Sequence, residues 1–342
     1  MNIGLPIPAG TIQRIKQLSH GHPVFLVTLT GGACVIKSEG GGNIRTSQLA
    51  NPIQIMNAID AHAPTRVLGP KEMMAIRTWV QGHAADVEEG NAGYLASELA
   101  AALRPPMPGQ GPQYTSVFIV MQAKQNLTDL ESEGLKGMGR DADGTITVRD
   151  KTGVKALHQV FKQPGVLEKL GEIVAADAFN GNQDRVNFNG TGKKWDGQML
   201  LCLQNPGNIF VGDGGGALTV LGLDVFDPYG SFKDWGTLNE GAEAYPGRIL
   251  RTDAGAKRLE LARKLAADIE RILGPRNRTF AFQKQTRLPV DAVARINRGL
   301  ETGAAKVLAF MKQKYVGGKI PIGIQLRLKA CGWLTPQQFP KV

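Results

Sequence analysis

The chain has 342 residues, of which 42% are hydrophobic and 20% are charged, so it can bury a core and is not disordered as a whole. No apolar run approaches the length of a bilayer-spanning helix, and the N-terminus lacks the basic start and apolar core of a secretory signal. The formal net charge of +10 favours acidic partners. Charge alone does not choose among nucleic acid, anionic lipid headgroups, nucleotide phosphates and an acidic protein.

The three cysteines, Cys34, Cys202 and Cys331, are scattered along the chain. Their spacing matches neither a zinc site nor a disulfide framework, so a reducing, cytoplasmic compartment is the simpler interpretation. The sequence leaves open a secretion route that needs no signal, and it does not determine the oligomeric state.

The N-terminal third is predicted to form strands and then helices. Alternating and β-branched residues predict three strands, at residues 12–18, 24–29 and 33–37. The glycines at 40–42 are expected to end the third strand. Apolar spacing predicts three helices, at residues 47–62, 70–80 and 91–103, with Pro52 in the first turn of the first one.

The middle of the chain begins with the Pro/Gly-rich stretch 104–112, which predicts a loop. The apolar run VFIVM (117–121) predicts a strand, and a short helix is expected to start in LTDLESEG (127–134). A small hairpin is expected near TITVRD (145–150). Residues 154–179 carry apolar side chains on one face and predict a long helix that Pro164 either breaks or opens.

The C-terminal part is predicted to contain short strands followed by helices. The strands are expected at residues 199–203, 208–211 and 218–226, and the helices at 254–274, 290–314 and near 323–333. The fold class is therefore α+β, with a small strand-rich lobe (1–122) before a larger helical lobe (123–342). Chemistry is expected between the two lobes.

The densest polar cluster is FNGNQDRVNFNG, residues 179–190, directly after the long apolar helix. An exposed Asx-rich turn is the plain alternative, but so many polar side chains would each need a partner if buried. Phosphoryl transfer from ATP needs a carboxylate at the acceptor hydroxyl, a carboxylate and an amide oxygen for Mg²⁺, and a cation at the phosphates. Asp184, Asn208, Asp224 and Lys37 are candidates for these roles, in the order a kinase-like fold supplies them.

The segment GNQDR (181–185) resembles the catalytic loop of the atypical protein-kinase-like superfamily: the phosphatidylinositol 3- and 4-kinases, the HipA-type toxin kinases and the actin-fragmin kinase. There an Asp-Arg pair, here Asp184 and Arg185, opens the loop. GLDVFD resembles the segment that carries the metal-binding aspartate, here Asp224. The resemblance covers roughly residues 12–230 and implies a two-lobed kinase-like fold that uses ATP and Mg²⁺.

The resemblance also implies nucleotide contacts in the N-terminal lobe. ACVIK resembles the strand whose lysine, here Lys37, reaches the phosphates. VFIVMQAK resembles the strand running into the hinge, so adenine is expected to meet backbone groups of Gln122 and Ala123. The segment SHGHP offers only Gly21 where a glycine-rich loop would cover the phosphates, and backbone N–H groups would have to do that work. Glu98, Asp60 and Glu72 are the alternatives for the carboxylate that orients Lys37.

The metal-binding asparagine has two candidates. Asn189 lies five residues after Asp184, the usual offset, but GTGKKWDG follows it instead of a strand. Asn208 begins an apolar strand that is predicted to pair with the Asp224 strand. We therefore prefer Asn208, with residues 190–207 as an insertion most similar to the actin-fragmin kinase branch.

These residues predict a kinase that phosphorylates a protein hydroxyl on serine or threonine. A lipid or small-molecule kinase, another ATP chemistry such as AMP transfer or glutamylation, and an inactive binding module are the alternatives. ATP and a protein substrate, conceivably acidic, are the expected partners; anionic lipid is a further candidate and nucleic acid is not expected. The lysines at 193–194 and in 312–319 are expected mainly to face solvent, with phosphate or an acidic partner as the alternative.

Overall fold

The computed structural model describes residues 7, 9–19, 23–44, 46–104, 115–124, 127–131, 138–140, 146–148, 159–188, 190–195, 198–212, 219–222, 246–273 and 287–339. The chain divides into two compact units, Met1–Lys124 and Gln125–Val342, two residues from the predicted boundary. The class is α+β, with a strand-rich N-terminal sheet and a mainly helical C-terminal region. None of the described helices is long and apolar enough to cross a membrane.

A six-stranded sheet forms the base of the N-terminal unit, in the order β4-β6-β3-β2-β1-β5. Its strands are β1 (Ile12–Ser19), β2 (Val24–Leu29), β3 (Gly32–Ile44), β4 (Thr65–Val67), β5 (Val87–Glu88) and β6 (Thr115–Gln122). Neighbours pair antiparallel, apart from β1 and β5, which pair parallel. Alternate residues of β2 are buried, so Phe25 and Val27 enter the core together with Ile36 and Phe118.

Two expectations about β3 and the following helix were wrong. The strand does not end at the glycines 40–42 but continues to Ile44, which pairs with Thr115 of β6 after an irregularity in the register between Glu39 and Ile44. Helix α1 (Thr46–Ala58) holds Pro52 in its interior instead of its first turn, and it ends four residues earlier than predicted. Asp60 adopts a φ of 53°, which is incompatible with continuing the helix, and the Ala61 N–H closes back on the Met56 carbonyl at 2.9 Å.

Two further helices, α2 (Pro70–Gly82) and α3 (Ala92–Ala102), confirm the predicted elements. Asn91 caps α3, with its side-chain oxygen accepting the Tyr94 N–H at 3.1 Å. Glu72 of α2 accepts hydrogen bonds from Arg66 at 2.7 Å and from the Gly69 and Ile7 N–H groups. These contacts engage the carboxylate of Glu72 with Arg66 and with two backbone N–H groups instead of the role considered for it beside Lys37.

The C-terminal unit is built around helix α4 (Val166–Asn180). It begins after Pro164 and Gly165 (φ 81°) and ends at Gly181 (φ 74°), both left-handed positions that suit glycine, so the predicted break at Pro164 is confirmed. Helix α6 (Ala292–Lys314) packs against α4 at very short range. A Cβ on Gly299 would lie 2.0 Å from the Glu168 carbonyl oxygen, and one on Gly171 would lie 2.3 Å from the Ile296 carbonyl oxygen. Only glycine permits this approach of the two backbones.

Helices α5 (Gly255–Leu273) and α7 (Ile322–Ala330) match the predictions, and residues 159–162 form a further helical turn before Pro164. The described strands of this unit are β7 (Leu127–Asp129), β8 (Met138–Arg140), β9 (Ile146–Val148), β10 (Lys194–Trp195), β11 (Gln198–Met199), β12 (Ile209–Gly212) and β13 (Thr219–Gly222). β8 pairs with β9 as a hairpin near the predicted position. β12 pairs with β13, as expected for the strands on either side of the glycine-rich turn.

Strand β7 was not predicted, and it forms because residues 127–129 pair with β12 more than eighty positions further along the chain. The short helix expected in residues 127–134 begins directly after this strand, at Leu130 and Glu131. One local prediction in this unit was wrong. Residues 200–203 do not continue the strand that begins at β11. The backbone N–H groups of Leu201, Cys202 and Leu203 instead donate to the side chain of Asp268, as described below, and this is incompatible with a regular ladder.

Candidate functional site

The loop that follows α4 places Asp184 beside two asparagine side chains. The Oδ2 atom of Asp184 accepts a hydrogen bond from Asn208 Nδ2 at 2.6 Å and from Asn205 Nδ2 at 3.3 Å. The Asp184 backbone N–H donates to Asn182 Oδ1 at 3.1 Å. The structure therefore brings together two residues singled out in the sequence, Asp184 and Asn208, and fixes the orientation of the carboxylate from one side.

The residue after Asp184 anchors this loop in the protein interior. Arg185 is completely buried and forms an ion pair with the equally buried Asp177 of α4. Its Nε atom donates to the Asn208 carbonyl oxygen at 3.0 Å. Arg185 thus ties together the end of α4, the loop and the segment that carries Asn208.

Both charged side chains of this ion pair are removed from water, which affects the pKa of the aspartate. Burial raises the pKa of the Asp177 carboxyl, while the Arg185 guanidinium and the Asn182 amide, which donates to Asp177 Oδ1 at 3.2 Å, oppose the rise. Asp177 was not among the residues predicted from the sequence. A signal was available, since an aspartate on the buried face of an apolar helix requires a partner.

The described part of residues 190–207, the segment predicted to be an insertion, folds back on the loop that carries Asp184. The Gln204 N–H donates to the Arg185 carbonyl oxygen at 3.0 Å, and Val186 forms a bridge with Leu203. Asn205, which the sequence analysis also missed, comes from the end of this segment. The segment therefore contributes directly to the surroundings of Asp184.

One buried carboxylate fixes the shape of that segment. Asp268 of α5 accepts the backbone N–H groups of Leu201, Cys202 and Leu203 at 2.6, 2.8 and 2.9 Å. The Asp268 side chain is fully buried. Three converging amides compensate for the loss of hydration of its charge. Sequence alone offered no signal for this contact, because its partners are backbone groups 65 to 67 positions away.

Oxygen atoms are concentrated around Gly207. A Cβ at this position would lie 3.2 Å from Asn205 Oδ1, 3.4 Å from Glu131 Oε2 and 3.9 Å from Asp129 Oδ1. Lys193 makes an ion pair with Glu131 at 2.5 Å. Carboxylate and amide oxygens are the hard ligands that Mg²⁺ prefers, so the donor chemistry of Asp184, Asn205 and Asn208 fits that ion. The described residues contain no group of three or more His, Cys, Asp or Glu side chains arranged to hold a metal.

Three of the predicted site residues lie outside the described residues: Gly21, Asn189 and Asp224. Asp224 comes two positions after the end of β13. The last residue of that strand, Gly222, packs on the buried guanidinium, where an added Cβ would lie 2.8 Å from Arg185 Nη2. The described strand thus ends against the same anchor that holds Asp184 and Asn208.

In the N-terminal unit, Lys37 lies on β3 between Val24 of β2 and Ile119 of β6. Its Nζ atom is 3.0 Å from Glu39 Oε1, and both side chains are largely buried. Residues two apart on a strand face the same side, which explains the pairing. Glu39 was not among the three carboxylates considered for this role.

The backbone N–H groups of the two residues predicted to bind adenine already donate hydrogen bonds within the N-terminal unit. The Gln122 N–H donates to the Pro64 carbonyl oxygen at 2.9 Å, and the Ala123 N–H donates to the Ala33 carbonyl oxygen at 3.3 Å. Contacts between adenine and these two N–H groups would therefore require both bonds to open.

No protein-family model matches the chain, and no curated protein is similar to it in sequence.

Proposed function

We propose that the chain is an ATP- and Mg²⁺-dependent phosphotransferase that phosphorylates a hydroxyl group, most simply that of a protein serine or threonine. The observation that carries the proposal is the setting of Asp184. Two amides hold one oxygen of its carboxylate, and the buried Arg185–Asp177 pair anchors its loop. This arrangement holds the carboxylate of Asp184 in a fixed orientation within a polar loop.

In this proposal, Asp184 accepts a hydrogen bond from the incoming hydroxyl group and orients it toward the phosphoryl group. Positioning matters more than proton abstraction, because the transition state is loose and little basicity is needed early. Mg²⁺, held by Asn208 and Asp224, would neutralise charge on the phosphates. Lys37 would add a positive charge at the phosphates, with Glu39 fixing its orientation in place of the helix carboxylates first considered.

Two measurements on the full chain test the proposal. Calorimetry with Mg·ATP should detect binding, and Asp184→Asn should leave the affinity nearly unchanged because it retains the shape and an acceptor for both amides. Turnover in the same variant should fall by roughly two to four orders of magnitude, the range for losing acid–base help. Asp253→Asn, at an exposed aspartate, is the matched control and should keep full activity.

Labelled ATP separates the alternatives. Transfer of label from the γ position to protein supports the proposal, and transfer only to phosphoinositide or a small molecule assigns a different acceptor. Transfer of label from the α position indicates AMP transfer. Nucleotide binding without transfer indicates a binding module, and absence of nucleotide binding at millimolar concentration contradicts the whole proposal.

A further inference from the structure

The last part of the sequence has an unusual charge composition. Residues 302–342 contain seven lysines and arginines and no aspartate or glutamate. The whole chain has a formal net charge of +10, so this segment of 41 residues carries most of it. A single-sign segment of this kind attracts anions of any type over about one Debye length, roughly 8 Å at physiological salt.

Two of these seven side chains contact helix α4. Lys306 pairs with Glu172 of α4 at 2.7 Å. Arg327 is fully buried, and its Nη1 atom donates to the Phe179 carbonyl oxygen at 2.7 Å. Among the others that the structure describes, Lys319 and Lys329 are exposed and Lys312 is half-buried. Positive charge therefore remains at the surface on both sides of the turn between α6 and α7.

That turn presents aliphatic side chains to solvent. Val316 is 80% exposed and Ile322, at the start of α7, is 67% exposed. Gly317 (φ 65°), Gly318, Lys319 and Pro321 between them are also exposed, and Ile320 is buried and holds the turn to the unit. The segment Val316–Ile322 is called the apolar turn below. Two large aliphatic side chains exposed in one short turn are costly in water unless something covers them.

Behind the apolar turn lies an aromatic base. The Nζ atom of Lys314 is 5.7 Å from the ring centroid of Phe310 and 5.5 Å from that of Tyr315. These ring contacts hold the Lys314 side chain against the two aromatic rings. Residues 312–322 thus combine two exposed aliphatic side chains, Val316 and Ile322, with lysines close to them in sequence.

We propose that the apolar turn is a peripheral docking surface for an anionic lipid bilayer. The lysines 312, 319 and 329 meet the negatively charged headgroups, and Val316 and Ile322 enter the boundary between headgroups and acyl chains. The exposed side chains of Val316 and Ile322 favour a lipid bilayer over other anionic partners. Nucleic acids and acidic peptides are bound by cations, hydrogen-bond donors and aromatic stacking, and they offer little to Val316 or Ile322.

Co-sedimentation of the full chain with vesicles tests this proposal, which is independent of any ATP chemistry. Binding is expected to vesicles of phosphatidylcholine with phosphatidylserine, and not to phosphatidylcholine alone, and it should weaken as salt is raised. Lys312→Gln and Lys319→Gln should each weaken binding about fivefold. Val316→Ser combined with Ile322→Ser should weaken it about tenfold or more.

Matched controls come from elsewhere in the chain. Val290→Ser changes a fully exposed valine and Lys257→Gln changes an exposed lysine, and both should leave vesicle binding unchanged. If each test variant has the same thermal unfolding temperature as the wild type, misfolding does not explain its weaker binding.

Three results would overturn the proposal. They are binding that does not depend on phosphatidylserine, binding that survives the loss of both aliphatic side chains, and binding to DNA or polyglutamate that is as tight as to the anionic vesicles. The last of them would identify a soluble polyanion as the partner.

Discussion

The buried pair of Arg185 and Asp177 gives the sharpest stability prediction. Arg185→Met keeps much of the apolar volume but leaves the Asp177 carboxylate buried without a counter-ion and the Asn208 carbonyl oxygen without its donor. Both side chains of the pair have zero exposure, so solvent cannot replace the lost partner. Breaking a buried pair from one side typically costs about 3–5 kcal/mol, and we expect a loss in the free energy of unfolding within that range.

The double variant isolates the cause of this loss. Asp177→Asn with Arg185→Met removes both charges and keeps an acceptor for the Asn182 amide. We expect it to be more stable than either single variant, with a coupling energy of roughly 2–3 kcal/mol in the double-mutant cycle. Arg251→Met, which breaks an exposed pair with Asp253, should change stability by no measurable amount.

The same variant makes a prediction about pH. In Arg185→Met, Asp177 loses the cation that opposed the effect of burial, so the pKa of its carboxyl in the folded state lies further above the unfolded value. The protonated form is then the one the folded state favours. The variant's deficit should be smallest below the unfolded pKa of the carboxyl and should grow as pH rises through the raised folded-state pKa.

The assay is urea unfolding of the full chain over a pH series. Tryptophan fluorescence is a suitable signal because Trp333 stacks on Phe179 near the end of α4, with ring centroids 5.7 Å apart. A loss below about 1 kcal/mol for Arg185→Met, or strictly additive single variants, would show that the two charges are not paired in a dry interior.

Three further substitutions test other contacts. Gly299→Ala should destabilise the chain by about 1–3 kcal/mol through overpacking against α4, whereas Thr302→Ala on the exposed face of the same helix should not, as urea midpoints will show. Asp268→Ala should cost at least about 1–3 kcal/mol and speed hydrogen exchange at the Cys202 amide; unchanged exchange would contradict the three hydrogen bonds to its carboxylate. Asn91→Ala should lower stability by about 1 kcal/mol through loss of the α3 cap, and Asn91→Ser should restore most of it.

Sequence alone determined the elements whose signal is local. The strands near residues 12, 24 and 33 follow from β-branched and alternating side chains, and most of the helices follow from apolar spacing. The break before α4 follows from Pro164 and the adjacent glycine. The polar loop with Asp184 was also visible, because so many polar residues directly after an apolar helix need partners.

Tertiary structure decided what depends on residues far apart in the chain. Strand β7 exists because β12 pairs with it, and residues 201–203 are shaped by the carboxylate of Asp268. Asn205 reaches Asp184 only because that segment folds back over the loop. Local propensities carry no information about such contacts, since each depends on backbone groups or side chains brought together from distant positions when the chain buries its apolar helices.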